Sequence, residues 1–161
     1  MKTLTKRHKI LLFMIAVSTL LFFSCKQNVK TFSKTDLRAI VEKQNEELER
    51  CFKDGNANKL ADMYADSAKL SPNGFHFIKG RDSIRVFWIE DFKSSKVLKM
   101  ETNILTVDGD ENFIYETGIT KSEILYNDSV YRPRVKYINI WCKQPDGKYK
   151  LDVDFWNKDS K

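Results

Sequence analysis

The feature that most constrains this chain is a change of hydrophobic period at Ser94-Ser95. Before it, apolar residues recur every three to four positions; after it they alternate, in extended segments over roughly 97–107, 111–125, 130–143 and 148–157. Asp108-Gly109-Asp110, Asn127-Asp128-Ser129 and Pro145-Asp146-Gly147 separate these segments and are turn sequences. Consecutive strands joined by short turns make an antiparallel meander. Helices gathered ahead of such a sheet define an α+β plan, with helices covering one sheet face.

In the helical half, Leu37, Ile40, Val41, Leu48, Cys51 and Phe52 form an apolar stripe between Thr35 and Lys53, with charged residues on the other faces. Ser33 or Thr35 offers the N-cap, and Asp54-Gly55 ends the helix because glycine accepts a left-handed turn. Asn56 then caps a second, shorter helix through Leu60, Met63 and Tyr64. Ala68–Leu70 and Phe75–Lys79, around the turn Ser71-Pro72-Asn73-Gly74, read as a short hairpin. Ile84, Phe87, Trp88 and Phe92 at helical spacing predict a third helix from Gly80 to Phe92. A strongly curved sheet would leave a hollow between its concave face and these helices.

The N-terminal end reads differently. Lys2, Lys6, Arg7 and Lys9 precede an apolar run, Ile10 to Phe23, that is short for a membrane span, which is the pattern of an export signal. Leu21-Phe22-Phe23-Ser24-Cys25 resembles the lipobox of bacterial lipoproteins, which implies cleavage after Ser24 and lipid on Cys25. The alternative is an ordinary secretory signal cut near Ser24. The lipobox reading divides the chain into a signal peptide (1–24), a tether (25–34) and one domain (35–158), exported and anchored to a bacterial membrane, facing the periplasm. Which membrane holds the anchor stays open.

Removing residues 1–24 takes four of the 28 basic side chains, so 24 remain against 22 acids and the net charge is +2 instead of +6. The basic balance belongs to the export segment and gives no support for nucleic-acid binding. Cys51 and Cys142 remain once Cys25 is assigned to lipid, either as separate buried thiols or as a pair in an oxidising compartment. With His76 as the one histidine after the signal, they cannot complete a structural zinc site. No glycine-rich phosphate loop, dinucleotide fingerprint or calcium loop occurs, so no cofactor is implied.

Several short motifs occur together: Lys53-Asp54-Gly55-Asn56, Leu60 to Ala68, Pro72-Asn73-Gly74, Lys79-Gly80-Arg81-Asp82, Glu116-Thr117-Gly118, and the tail from Asp146 to Asn157. In this order and spacing, over nearly all of residues 36–157, the chain resembles the nuclear transport factor two-like (NTF2-like) superfamily of ketosteroid isomerase-like and SnoaL-like proteins. The resemblance implies a cone: three N-terminal helices packed on a curved antiparallel sheet, sometimes paired with a second copy through the open sheet face. It also implies where ketosteroid isomerase chemistry would sit. The helix tyrosine would fall at Leu48, which cannot donate a hydrogen bond, the base at Ser71 or Pro72, neither a carboxylate-type base, and the oxyanion acid near Asn139, so ketosteroid isomerase chemistry is not expected. The closer likeness is to the SnoaL-like branch of small exported proteins.

Glu116 shares a strand face with Gly118 and Thr120, opposite Tyr115, Thr117 and Ile119. If that face is concave, its carboxyl lies in an apolar hollow and suits acid–base work; if convex, it is solvated. Asp152, Asp154 and Trp156 share one face of the last strand, while Leu151, Val153 and Phe155, the more core-like set, share the other. His76, in the hairpin, is the remaining acid–base candidate, since an imidazole can shuttle a proton. Tyr64, Trp88, Phe92, Tyr137, Trp141 and Trp156 are aromatics placed either to line the hollow or to fill the core. These residues predict a module binding a small, largely apolar ligand. Two alternatives stand beside it: an isomerase, dehydratase or hydrolase using Glu116, Asp154 and His76, and a homodimerisation or protein-interaction module.

Overall fold

The structure, a computed structural model, describes residues 32–160; the segment expected as an export signal, Cys25 and the expected tether up to Thr31 lie outside the described residues. Helix α1 (Lys34–Asp54) starts at a capping box, in which the Ser33 hydroxyl accepts from the Asp36 N–H at 3.2 Å and Asp36 accepts from the Ser33 N–H at 2.9 Å. It ends at Gly55, whose φ of 61° closes the last turn. Its buried stripe is Leu37, Val41, Asn45, Leu48 and Cys51. Asn45 is the polar member of that stripe.

Helix α2 (Ala57–Asp62) is capped by the Asn56 side chain, which accepts from the Lys59 N–H at 3.0 Å. The expected extension to Tyr64 does not occur. Leu151 donates its N–H to the Met63 carbonyl at 2.9 Å, and Tyr64 opens strand β1 (Tyr64–Ser71). Sheet pairing at the chain's far end thus overrides a helical pattern that looked continuous. Strand β2 is shorter than the expected hairpin arm, only Ile78–Lys79, and pairs antiparallel with β1. Helix α3 (Arg81–Ser94) buries Ile84 and Trp88.

The remaining strands are β3 (Ser95–Gly109), β4 (Phe113–Tyr126), β5 (Ser129–Tyr131), β6 (Arg134–Lys143) and β7 (Tyr149–Lys158). The segment expected as one strand over 130–143 is split, since Pro133 has no N–H to give a ladder. Asn127 and Asp128, with φ of 46° and 59°, form the tight turn into β5. The sheet order is β2-β1-β7-β6-β4-β3, with β5 paired to β4. The meander from β3 to β7 is antiparallel, but β1 joins β7 in parallel, so the seven-stranded sheet is mixed and not purely antiparallel.

Bulges bend the sheet. In β3 the register shifts between Val97 and Lys99 and again between Ile104 and Thr106. The extra residues are Leu98 and Leu105, both turned out to solvent. Each bulge inserts a residue on one strand only, which curves the sheet around the helices. A further shift pairs Trp141 with Leu151 but Ile140 with Val153, leaving Asp152 without a partner. This single bulge corrects the expected face assignment of β7: Leu151 points inward before it, and Asp154 and Trp156 point inward after it.

Registers across the sheet place inward side chains in rows. Ile114, Trp141, Leu151 and Tyr64 form one row, all buried, and with Leu37, Val41, Leu60 and Ile84 they make the solid core. The next row reads Val107, Glu116, Asn139, Asp154 and Leu70, and the one beyond it Ile104, Gly118, Tyr137 and Trp156. Cys51 is buried in α1 and Cys142 half-buried in β6, and both thiols are free.

Candidate functional site

Past the Glu116 row the core gives way to a cavity of about 360 Å³. Its helix side is Asn45, Leu48 and Phe52 of α1 with Phe87, Trp88 and Asp91 of α3. Its sheet side is Val97, Met100 and Thr102 of β3, Thr120, Ser122 and Ile124 of β4, Val135, Tyr137 and Asn139 of β6, and Asp154 and Trp156 of β7. Pro72 and Phe75, from the loop between β1 and β2, complete the wall. Edge-to-face contacts stiffen the helix side: Phe52 and Phe87 meet the Trp88 ring at centroid distances of 5.0 and 4.8 Å. A volume in this range holds a small organic molecule.

Glu116 faces inward and is fully buried, but it does not line the cavity. Four donors surround its carboxylate. Asn45 Nδ2 and the Tyr137 hydroxyl each donate to Oε2 at 2.9 Å; Trp141 Nε1 and Asn139 Nδ2 donate to Oε1 at 2.9 and 3.2 Å. Asn45, Tyr137 and Asn139 reach the cavity with their other surfaces, so they form the floor with the carboxylate beneath. Burial pushes the Glu116 pKa up, and the four hydrogen bonds, led by Trp141, oppose the rise. No lysine, arginine or histidine pairs with it among the described residues, so the charge is held by neutral donors alone. The Tyr137 hydroxyl is held protonated, first by burial and then by the Glu116 charge.

Asp154 stands in the same row, opposite Asn139, and lines the cavity. The Tyr64 hydroxyl donates to Asp154 Oδ2 at 2.6 Å. Desolvation lifts the Asp154 carboxyl to about 6, with the Tyr64 bond pulling down and the Glu116 charge pushing up. Tyr64 itself is driven well above the usual phenol range by burial and by Asp154, so it stays a donor. Among the described residues, two buried side-chain polar atoms lack a hydrogen-bond partner: Asn139 Oδ1 and Trp88 Nε1. Trp88 Nε1 forms no hydrogen bond of proper geometry, yet it lies close enough to the Tyr64 oxygen to favour the phenolate slightly.

The structure separates the residues that the sequence grouped. Asp154, Trp88, Tyr137 and Trp156 line the cavity. Tyr64 and Trp141 do not; they stand behind it, one holding Asp154 and the other Glu116, because their row belongs to the solid core. Phe92 also lies off the cavity and packs on Phe52 and Trp88. His76 is exposed in the loop after β1 and reaches neither carboxylate, so the three-residue acid–base set is not assembled. Leu48, Pro72 and Asn139, three of the positions matched to ketosteroid isomerase chemistry, line the wall, and Ser71 is buried beside Pro72. Sequence reasoning missed Asn45. Its signal was an uncharged polar residue at a stripe position of an otherwise apolar helix face. Among the described residues, no group of three or more His, Cys, Asp or Glu could hold a metal ion.

No family model matches the chain, and no curated protein matches it by sequence. Solved structures do. A ketosteroid isomerase-like protein from Erwinia carotovora atroseptica superimposes with a TM-score of 0.68 at 15% identity, over 76% of this chain and 96% of that one. A candidate dehydratase of the NTF2-like family from Streptomyces avermitilis gives 0.63 at 13% identity, over 79% and 99%. A protein from Catenulispora acidiphila, solved in complex with S-DNPA, gives 0.69 at 14% identity, over 77% and 94%. The chain therefore has the NTF2-like α+β cone fold. At such identities the likeness is one of fold, and activity is a separate question.

Proposed function

We propose that the domain binds a small, largely apolar molecule in the cone, with one polar group of the ligand held at Asp154. The observation that carries this reading is the pairing of an open apolar cavity of about 360 Å³ with a single carboxylate fixed at its inner end by Tyr64. A neutral fluorescent naphthylamine that brightens in apolar surroundings tests it. One probe should bind per chain, and Met100→Trp, which fills the cavity from β3, should abolish binding while the far-ultraviolet circular dichroism is unchanged. No brightening with the unaltered protein would refute the proposal.

A second reading, acid–base catalysis, is favoured by the Asp154 carboxyl at about 6, near the value at which one group can both take and give a proton in neutral solution. In that reading Asp154 acts alone, since Glu116 lies below the floor and His76 is outside. Asp154→Ala separates the two: turnover lost with ligand affinity kept points to an enzyme, and affinity lost points to a binding module.

We also propose attachment to a bacterial membrane through lipid on Cys25, as the lipobox-like sequence suggests. Radiolabelled palmitate should enter the wild-type chain in cells and not Cys25→Ser. Pairing with a second copy is supported by the exposure of Tyr115, Ile138 and Phe155 on the outer sheet face.

A further inference from the structure

We infer that the cavity is built for a cationic amphiphile, an aryl- or alkyl-ammonium whose head sits between Asp154 and Asn139 and whose apolar body lies along Trp88 and Trp156. The inference rests on the cavity being a binding site at all, and it names the ligand class. It starts from an imbalance of charge. The cavity-lining residues include two aspartates, Asp154 at the inner end and Asp91, exposed toward the opening, and no lysine, arginine or histidine. Glu116, just below the floor, adds a further carboxylate with no basic partner among the described residues. Arg38, whose charge reaches Tyr137, does not line the cavity and is bonded to Glu42 at 2.9 Å.

The second, independent observation is the orphaned oxygen of Asn139. The residue is 6% exposed, and its amide nitrogen is committed to Glu116, so Oδ1 is turned away from that carboxylate and left without a partner. Asn139 and Asp154 are direct cross-strand partners, and inward side chains at such positions have Cβ atoms about 5 Å apart. Tyr64 occupies Asp154 Oδ2, which leaves Oδ1 for the cavity. Neither Asn139 Oδ1 nor Asp154 Oδ1 has a protein donor among the described residues, and Asn139 Oδ1 lies just under the cavity surface, so a ligand donor meets Asp154 first and reaches the amide oxygen as that side chain turns. An ammonium group carries three donors and a charge, so one head can pair with Asp154 and still have donors to spare for the amide of Asn139. A hydroxyl brings one donor and no charge, and a carboxylate brings repulsion. The indoles of Trp88 and Trp156 also line the cavity, and an indole attracts a cation that comes within about 6 Å of its ring.

The test uses three ligands with one skeleton: 4-phenylbutylamine, 4-phenylbutanol and 4-phenylbutyrate, titrated calorimetrically into the full-length chain at pH 8 and low salt. At that pH the groups facing the head position are the Asp154 and Glu116 carboxylates, the Tyr64 and Tyr137 hydroxyls, and Asp91 farther out. The amine should bind at least about tenfold tighter than the alcohol, as a charge-assisted hydrogen bond and aromatic contact together predict, with the butyrate weakest. Asp154→Asn should erase the amine's advantage over the alcohol, with the far-ultraviolet circular dichroism as the control for folding. If that variant does not fold, the ranking on the unaltered chain decides. Equal affinity for amine and alcohol overturns the charge inference and leaves the cavity reading standing. Failure of all three to bind overturns both.

Discussion

Tyr137 lies across Gly118: a Cβ added at residue 118 would fall 2.4 Å from the Tyr137 hydroxyl and 2.6 Å from the Asn103 carbonyl oxygen. The two residues are cross-strand partners, and only the missing side chain lets the phenol reach over β4 to Glu116. Gly118→Ala must push the ring away or move the β3 backbone. It should cost about 2–4 kcal/mol, from overpacking plus the loss of a hydrogen bond to a charged acceptor. Denaturant midpoints check this. In a Tyr137→Ala background the same change should cost at least about 1 kcal/mol less, because one of the two clashes is gone.

Replacement of Glu116 depends on which of its donors can turn. The Asn45 and Asn139 amides can present oxygen instead of nitrogen, and the Tyr137 hydroxyl can accept, but the Trp141 indole can only donate. Glu116→Gln can keep its oxygen toward Trp141 and give its nitrogen to Asn45 and Tyr137. The variant also sheds a buried charge, so it should stay within about 1 kcal/mol of the parent. Glu116→Leu strands the indole N–H among buried neighbours and should cost about 3 kcal/mol, read from urea unfolding. A loss of that size for glutamine as well would show that the charge itself holds the floor together.

Much of this was legible in the sequence, and the exceptions share a cause. The Ser33 cap, the Gly55 turn and the change of period near Ser95 are local signals, and helices and strands follow them closely. Glu116 shares its face with Gly118 and Thr120 as alternation predicts, because β4 runs from Ile114 to Thr120 without a bulge, but alternation alone left open whether that face was the concave one. The face of Asp154 could not be read with the same rule, since the bulge at Asp152 changes the phase, and that bulge is fixed by pairing with β6 and β1 and not by any turn residue. Tyr64 failed for a related reason. Its helical spacing was real, but its conformation is decided by Leu151, 87 positions away in the chain. Asn139 was legible only as the position matched to the oxyanion acid; its bridging place between two carboxylates is a property of the sheet rows.

The outer face supplies a test of pairing between copies. Ile138 and Phe155 are cross-strand partners, 46% and 38% exposed, and Tyr115 stands on the same face two residues along β4 from Thr117, the residue opposite Ile138. If a second copy covers this face, Ile138→Lys should place two charges in the interface by symmetry and convert a dimer to monomer in light scattering. A wild-type chain that is monomeric up to high micromolar concentration would remove the proposal.

Asp154 links folding to pH, and the sign follows from its raised value. The carboxyl titrates at about 6 in the fold against 3.8 for the ordinary side chain. Between those values the native state binds the proton that the unfolded chain has released, so stability falls as pH rises through the window. Below about 4 both states are protonated and the difference vanishes; above about 6 both are ionised and the penalty of a desolvated charge is constant, about 3 kcal/mol at most. Asp154→Asn keeps an oxygen for Tyr64 and removes the charge. The variant should therefore be more stable than the parent at pH 8, by about 1–3 kcal/mol, and about equal to it at pH 4. Glu116, also raised by burial, titrates in both proteins and largely cancels in the difference. Urea unfolding of the pair at the two pH values gives the measurement. A parent more stable than Asp154→Asn at pH 8 would mean that the ionised carboxylate is stabilised in the fold, reversing the electrostatic account of the cavity's inner end.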